Sequence, residues 1–162
     1  MLPLAASRPG ALLRLLLRPL LVLTLVAGLG TSLPLRAEMP RQTLGISFYR
    51  IDVEVAANQS DRMQGLMHRQ HMPQQQGMLF VFPTAARHCM WMRNTLLPLS
   101  VAFLDDNGRI LNIEDMAPQT EDSHCASGAA RFALEMNKGW FAGKGIKPGT
   151  VIEGVLQAPS PR

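Results

Sequence analysis

The sequence predicts a mainly β fold, an antiparallel sandwich or barrel of about seven short strands with one or two short helices. Three observations carry this. Short segments alternate apolar and polar residues, as strands with one face on a core do. Clusters of Gly, Pro, Asn and Asp separate those segments at short intervals. Only one sizeable stretch, from Asn58 to Gln70, returns its apolar residues at helical spacing.

In chain order, "SFYRIDVEVA" (47–56) sets Ile51, Val53 and Val55 against Asp52 and Glu54, a half-buried strand. "ANQSDRMQGLMHR" follows. Asn58 is a helix cap with Asp61 three residues on, and Met63, Leu66, Met67 and Gln70 repeat at helical spacing. Gly65 weakens that helix by about 1 kcal/mol relative to alanine. "GMLFVF" (77–82) is a brief buried strand closed by Pro83, and "HCMWMRN" (88–94) is another. "LPLSVAFLDDNGRILNIEDM" predicts two strands joined at Asp106-Asn107-Gly108, a hairpin signal. Residues 117–130 are polar and loop-like. "RFALEMN" (131–137) alternates Phe132, Leu134 and Met136 against Arg131 and Glu135. A turn of helix is expected around Trp140 and Phe141, and "TVIEGVL" (150–156) is a last strand after Pro148-Gly149.

Residues 1–37 differ from the rest. They hold Arg8, Arg14, Arg18 and Arg36, no acid, the uncharged run "LLVLTLVAGL" (20–29), and "LRA" ending at Ala37. A basic start, a short apolar stretch and a small residue at the cut predict a secretory signal peptide, leaving 38–162 as one exported, periplasmic domain. The alternative is an uncut membrane anchor over 19–35, at the lower limit for crossing about 30 Å of hydrocarbon. The region has no cysteine for lipid attachment and no Arg-Arg pair.

Of the 16 basic and 12 acidic residues, four bases and no acids fall in 1–37. Residues 38–162 therefore carry equal numbers of each and no basic run. That argues against nucleic acid as a partner. Contact with a membrane is expected only through the N-terminal segment.

The motifs "RMQGLMHR", "GMLFVF", "WMRNTLLPL", "FLDDNGRI" and "RFALEMNKGW…GIKPGTVI" come in the order and spacing of the domain of unknown function 192 family. The chain resembles that family over about residues 47–156. The resemblance implies a compact, mostly β domain, often exported, without an established activity or cofactor. Two departures stand out: Met90 where members usually have an aromatic residue, and Ser100 where many carry Asp.

On an extended strand Trp91, Arg93 and Thr95 would share one face. That face is a candidate site for a small polar or anionic ligand, with Trp91 stacking, Arg93 pairing with a carboxylate or phosphate, and Thr95 donating. Asn94 and Glu135 are candidate polar partners. The plainer alternative pairs Arg93 with Glu135 or Asp52 and spends Asn94 and Thr95 on strand-end backbone. Cys89 and Cys125, the only cysteines, are a candidate disulfide in an exported protein; two separate buried thiols are the alternative.

Three further readings rest on less. His68 and His71, three apart on the expected helix, together with nine methionines in 38–162, allow a copper-handling protein, although methionine is commonly core filler. An envelope protein-interaction module needs only an exposed apolar patch. An unrecognised hydrolase would draw on Glu114, Asp115, Glu121 and Asp122, which read as a solvated loop, and no nucleophile motif accompanies them. Binding is thus favoured over catalysis, with no cofactor or metal implied.

Overall fold

The computed structural model describes residues 38–162, and the first element in them is one the sequence pattern does not announce. Strand β1 (Arg41–Ile46) runs antiparallel to β2 (Tyr49–Ala56) through a two-residue turn at Ser47 and Phe48. Ser47 takes a φ of 51° there. β1 lacks strict alternation because Leu44, Gly45 and Ile46 are all buried. The N-terminal signal and the alternative anchor lie outside the described residues. Among the described residues no helix is long and apolar enough to cross a membrane.

The chain continues through α1 (Gln59–Gln64), β3 (Gln76–Ala86), β4 (Cys89–Met90), β5 (Leu99–Leu104) and β6 (Ile110–Met116). It ends with β7 (His124–Cys125), β8 (Ala130–Asn137), α2 (Trp140–Gly143) and β9 (Ile152–Glu153). Seven strands form one curled, half-barrel sheet in the order β6-β5-β8-β3-β2-β1-β9, and β4 and β7 pair separately. The fold is mainly β, as the alternation predicts. The expected hairpin is present between β5 and β6, where the Asp105 carboxylate accepts from the backbone N–H groups of Asn107 and Arg109.

The sheet is mixed rather than wholly antiparallel, because β2 and β3 run parallel. Parallel neighbours require a crossover of a dozen residues or more. Residues 57–75 supply it, carrying α1. At the tip of the β5–β6 hairpin, Arg109 bridges Val151 next to β9. Ile110 N–H donates to Thr150 and Ile152 N–H to Gly108, each at 2.9 Å, so the two edges of the sheet meet there.

Period-two alternation divides the apolar residues between two faces. Val53, Val55, Leu79, Val81, Leu134 and Met136 join one cluster, sealed by Trp140 and Phe141 of α2. Met78, Phe80, Phe82, Val101 and Phe103 point the other way and pack with Leu66, Met72, Met92 and Leu97 from the crossover and the β4–β5 connection. This second face carries the site described below.

β3 and β8 approach so closely that Gly77 has no room for a side chain. An added Cβ would collide with the backbone oxygen of Glu135 and with Met136 Sδ. Gly77→Ala is expected to cost about 1–3 kcal/mol through overpacking. Urea denaturation should show a lower midpoint with an unchanged slope.

Candidate functional site

Strand β8 places Glu135 on the second face, opposite Met78 of β3 and Val101 of β5. It sits mid-sheet between apolar cross-strand neighbours and is only 4% exposed. Its carboxyl group has no hydrogen bond or ion pair with another described residue. Burial alone pushes its pKa from 4.5 to about 8, since the charged form loses its hydration without a compensating partner. At neutral pH the group is therefore mostly a protonated acid.

Glu54 on β2 shows the opposite environment. Arg69 holds it with two hydrogen bonds, of 2.6 and 2.5 Å, and Arg41 lies 3.3 Å away. The bonds from Arg69 keep its carboxyl below the usual range despite partial burial. This clamp also fastens the segment after α1 onto the sheet.

Glu135 lines a cavity of about 310 Å³. One wall comes from α1 and the turn after it, through Met63, Leu66 and Met67. Phe80 and Phe82 of β3 form the back, and Met90, Trp91 and Thr95 the opposite wall. The α1 wall is positioned by its caps. Asn58 accepts from the Asp61 N–H at the start. At the end Gly65 takes a φ of 48° and its N–H bonds to the Asp61 carbonyl. Any other residue at Gly65 would be strained in backbone and would press on the Phe80 ring, 3.2 Å from an added Cβ.

The helix therefore stops at Gln64, earlier than the spacing predicts. Met63 is left 68% exposed at the cavity instead of packed in a helical stripe. His68 falls in the following turn with a φ of 63°, and His71 lies beyond it. The helical face that the spacing assigns to the two histidines is absent.

The strand expected over 88–94 ends at Met90. Beyond it the chain is pulled into a turn. Met92 N–H donates to Thr120, Thr95 N–H to Met92, and Gln119 N–H to Thr95. Asn94 adopts a φ of 57° and its carbonyl accepts from His68 N–H. Trp91, Arg93 and Thr95 consequently do not project together from one ribbon. Trp91 (49% exposed) and Thr95 (4%) line the cavity with Glu135. Arg93 and Asn94 lie on the exposed surface outside its lining. The Arg93 guanidinium sits 5.7 Å from the Trp91 ring centroid, and its Nε is 3.7 Å from Glu121, not beside Glu135 or Asp52.

Cys89 and Cys125 are joined by a disulfide across the β4–β7 pair. The bond anchors the Met90–Trp91 wall, excludes a thiol nucleophile and is consistent with an extracytoplasmic setting. Glu114 and Asp115 lie on β6 rather than in a loop. Ser100 donates to Asp115 at 2.5 Å and accepts from Gly139 N–H at 2.8 Å. It is buried and fully used by the fold.

The sequence pattern points to Trp91, Thr95 and Glu135 but not to Met63, Met67, Phe80 or Met90, which read as core. The one signal, for Met63 and Met67 alone, is Gly65, which interrupts the helix and releases these flanking methionines from a common packed face.

Comparison with known proteins gives the same fold without an activity. A protein of Sinorhizobium meliloti 1021 provisionally called a transcription regulator is 32% identical, with a TM-score of 0.70 over 72% of this chain and 95% of that one. A protein of unknown function from Novosphingobium aromaticivorans DSM 12444 is 30% identical, with a TM-score of 0.66 over 71% and 86%. No curated protein matches the chain. The family model described as "Uncharacterized ACR" matches residues 41–154, and the chain belongs to that family, DUF192.

Proposed function

We propose that the domain is a binding module for a small, largely apolar molecule with one hydrogen-bonding head, taken into the cavity above Glu135. The observation that carries this is an acid 4% exposed, without a partner among the described residues, lining a mostly apolar cavity of about 310 Å³ with Gln59, Gln64 and Thr95 among its other polar groups. Burying a polar group without a hydrogen bond costs roughly 1–3 kcal/mol by mutational measures. A fold that keeps such a group at a cavity is spending stability where a ligand would restore it. The volume lies at the small end of ligand sites, which are mostly apolar with a few polar anchors.

An anion is a poor fit. Arg62 is the lone cation among the described residues lining the cavity, and it donates to the carbonyls of Ala57, Val81 and Arg162. Arg93 lies outside. Residues 38–162 also lack the surplus of basic residues that a nucleic-acid-binding regulator would carry, since acids and bases balance over them.

The test is a fragment screen followed by tryptophan fluorescence. Trp91 lines the cavity while Trp140 is buried in the other cluster, so a ligand should shift the Trp91 emission. Glu135→Leu, which removes the hydrogen-bonding head and keeps the bulk, should weaken the hits about fivefold or more, the value of one buried hydrogen bond. Arg93→Ala should leave them within about twofold, as an exposed pair contributes little. Hits that depend on Arg93 and ignore Glu135 would overturn the assignment.

A further inference from the structure

Resting on that reading, we infer that the head group of the ligand is a protonated amine, received by Glu135 while an apolar, preferably aryl, body lies among Met63, Met67, Phe80, Met90 and Trp91. Charge and the supply of donors point this way. Glu135 is the sole acid among the described residues lining the cavity, and none of them places a cation within pairing reach of it.

The elements packed around Glu135 bring no other titratable group to bear. Met78 of β3 and Val101 of β5 lie directly across from it, and Phe80, Phe82, Leu99 and Phe103 join them in the same apolar cluster. From α1 comes Arg62, engaged with three carbonyls. Asp61 of the same helix belongs to the Asn58 cap. Cys89 is in its disulfide, and Arg93 pairs outward with Glu121. On β8 itself Arg131 donates to the Phe82 carbonyl and lies 3.9 Å from Asp106.

A carboxylate ligand would meet a site with no available positive charge. An alcohol would satisfy one lone pair and leave the acid neutral. An ammonium group converts the buried acid into a charge-assisted pair, the stronger kind of hydrogen bond. The surrounding wall suits such a cation, because thioethers and aromatic faces are polarisable and cover the remaining apolar surface.

The chemistry fixes a proton count. Glu135 is mostly protonated before binding, because burial raises its pKa to about 8. Pairing with an ammonium requires the carboxylate, so the acid proton leaves to solvent. The complex should release close to one proton near about pH 7 and progressively fewer above about pH 8. The dissociation constant should fall about tenfold per pH unit below about pH 8, then level off until the amine itself deprotonates.

Isothermal titration of the protein with phenethylamine, 2-phenylethanol and phenylacetate, in two buffers of different protonation enthalpy, reads this directly. Phenethylamine is expected to bind at least about tenfold more tightly than the alcohol near about pH 8, the gain of a charge-assisted hydrogen bond over a neutral one. It should do so with proton release, and Glu135→Gln should abolish both the preference and the release. If the alcohol or phenylacetate binds as well as the amine, or the amine binds without releasing a proton, the ammonium assignment is overturned while the cavity remains a binding site. If none of the three binds but the fragment screen finds neutral ligands, the ammonium assignment is overturned in the same way. If no compound of any class binds, the proposed binding function falls and takes this inference with it.

Discussion

Raising the pH from about 5 to about 8 is expected to remove several kcal/mol of folding stability from the wild-type protein, and the Glu135→Gln variant should not share that loss. The sign follows from the direction of the shift. In the unfolded chain Glu135 titrates near its ordinary 4.5; in the fold it holds its proton up to about 8. Between those values the native state binds more protons than the unfolded state, so the slope of unfolding free energy against pH is negative. The stabilisation is complete below the unfolded pKa, shrinks through the window and is gone once the pH passes the folded pKa. At roughly 1.4 kcal/mol per unit, the whole span is on the order of 4–5 kcal/mol, an upper value that water entering the cavity would reduce.

Glu54 works in the reverse sense. Its pKa is lowered by the hydrogen bonds from Arg69, so its contribution is present above the unfolded pKa and disappears as the pH falls through the folded one. The two acids therefore act at opposite ends of the range. Glutamine is close in size to a protonated glutamic acid and cannot ionise, so subtracting the variant's profile isolates Glu135 from every other group. Urea denaturation at pH values of about 5, 6, 7 and 8 gives both profiles. Parallel curves for wild type and variant would show that the carboxyl is solvated or paired in solution, and the cavity would then hold no acid in need of a ligand.

The sequence leads only part of the way to this acid. Alternation along 131–137 identifies β8 and sets Glu135 apart as a polar residue facing away from Leu134 and Met136. Alternation does not say that both faces of a strand are buried. That depends on the crossover 57–75 and the β4–β5 connection closing over the second face, which are long-range events. For the same reason the local pattern overextends the strand over 88–94. Residues 91–95 contain no Gly or Pro to stop a strand, but hydrogen bonds to Thr120 and Gln119 turn them. β1 escapes the pattern because its last three residues are all buried and so leave no alternating signature. The parallel β2–β3 pair is equally illegible, because local pattern fixes which residues are extended and not the direction of their neighbour. Caps and turns are encoded within a few residues, and the Asn58 cap and the hairpin after β5 are accordingly legible.

Removing the disulfide, as Cys89→Ser/Cys125→Ser or by reduction, is expected to cost up to about 4 kcal/mol and to disorder one wall of the cavity first. The bridge spans a sequence separation of 36, and the chain-entropy account assigns a loop of that length about 4 kcal/mol. Its local consequence is larger than its global one. β4 and β7 pair over only two positions, Cys89 with Cys125 and Met90 with His124, too few to persist unsupported. Around the bridge, Ala126 N–H donates to His88 at 2.9 Å and Asn112 donates to the Cys125 carbonyl at 3.0 Å. These bonds should open more often once the covalent tie is gone. Amide exchange at Met92 and Ala126 should then accelerate by well over about tenfold, while Leu79, Leu134 and the rest of the central strands exchange only as fast as the lowered global stability allows. Trp91 adjoins the loosened wall, so ligand affinity should drop even under conditions where the protein stays folded. Unchanged protection at both amides, with a denaturation midpoint within about 0.5 kcal/mol of wild type, would mean that the packing of Phe82 against His88, whose ring centroids lie 3.8 Å apart, holds the wall without the bridge.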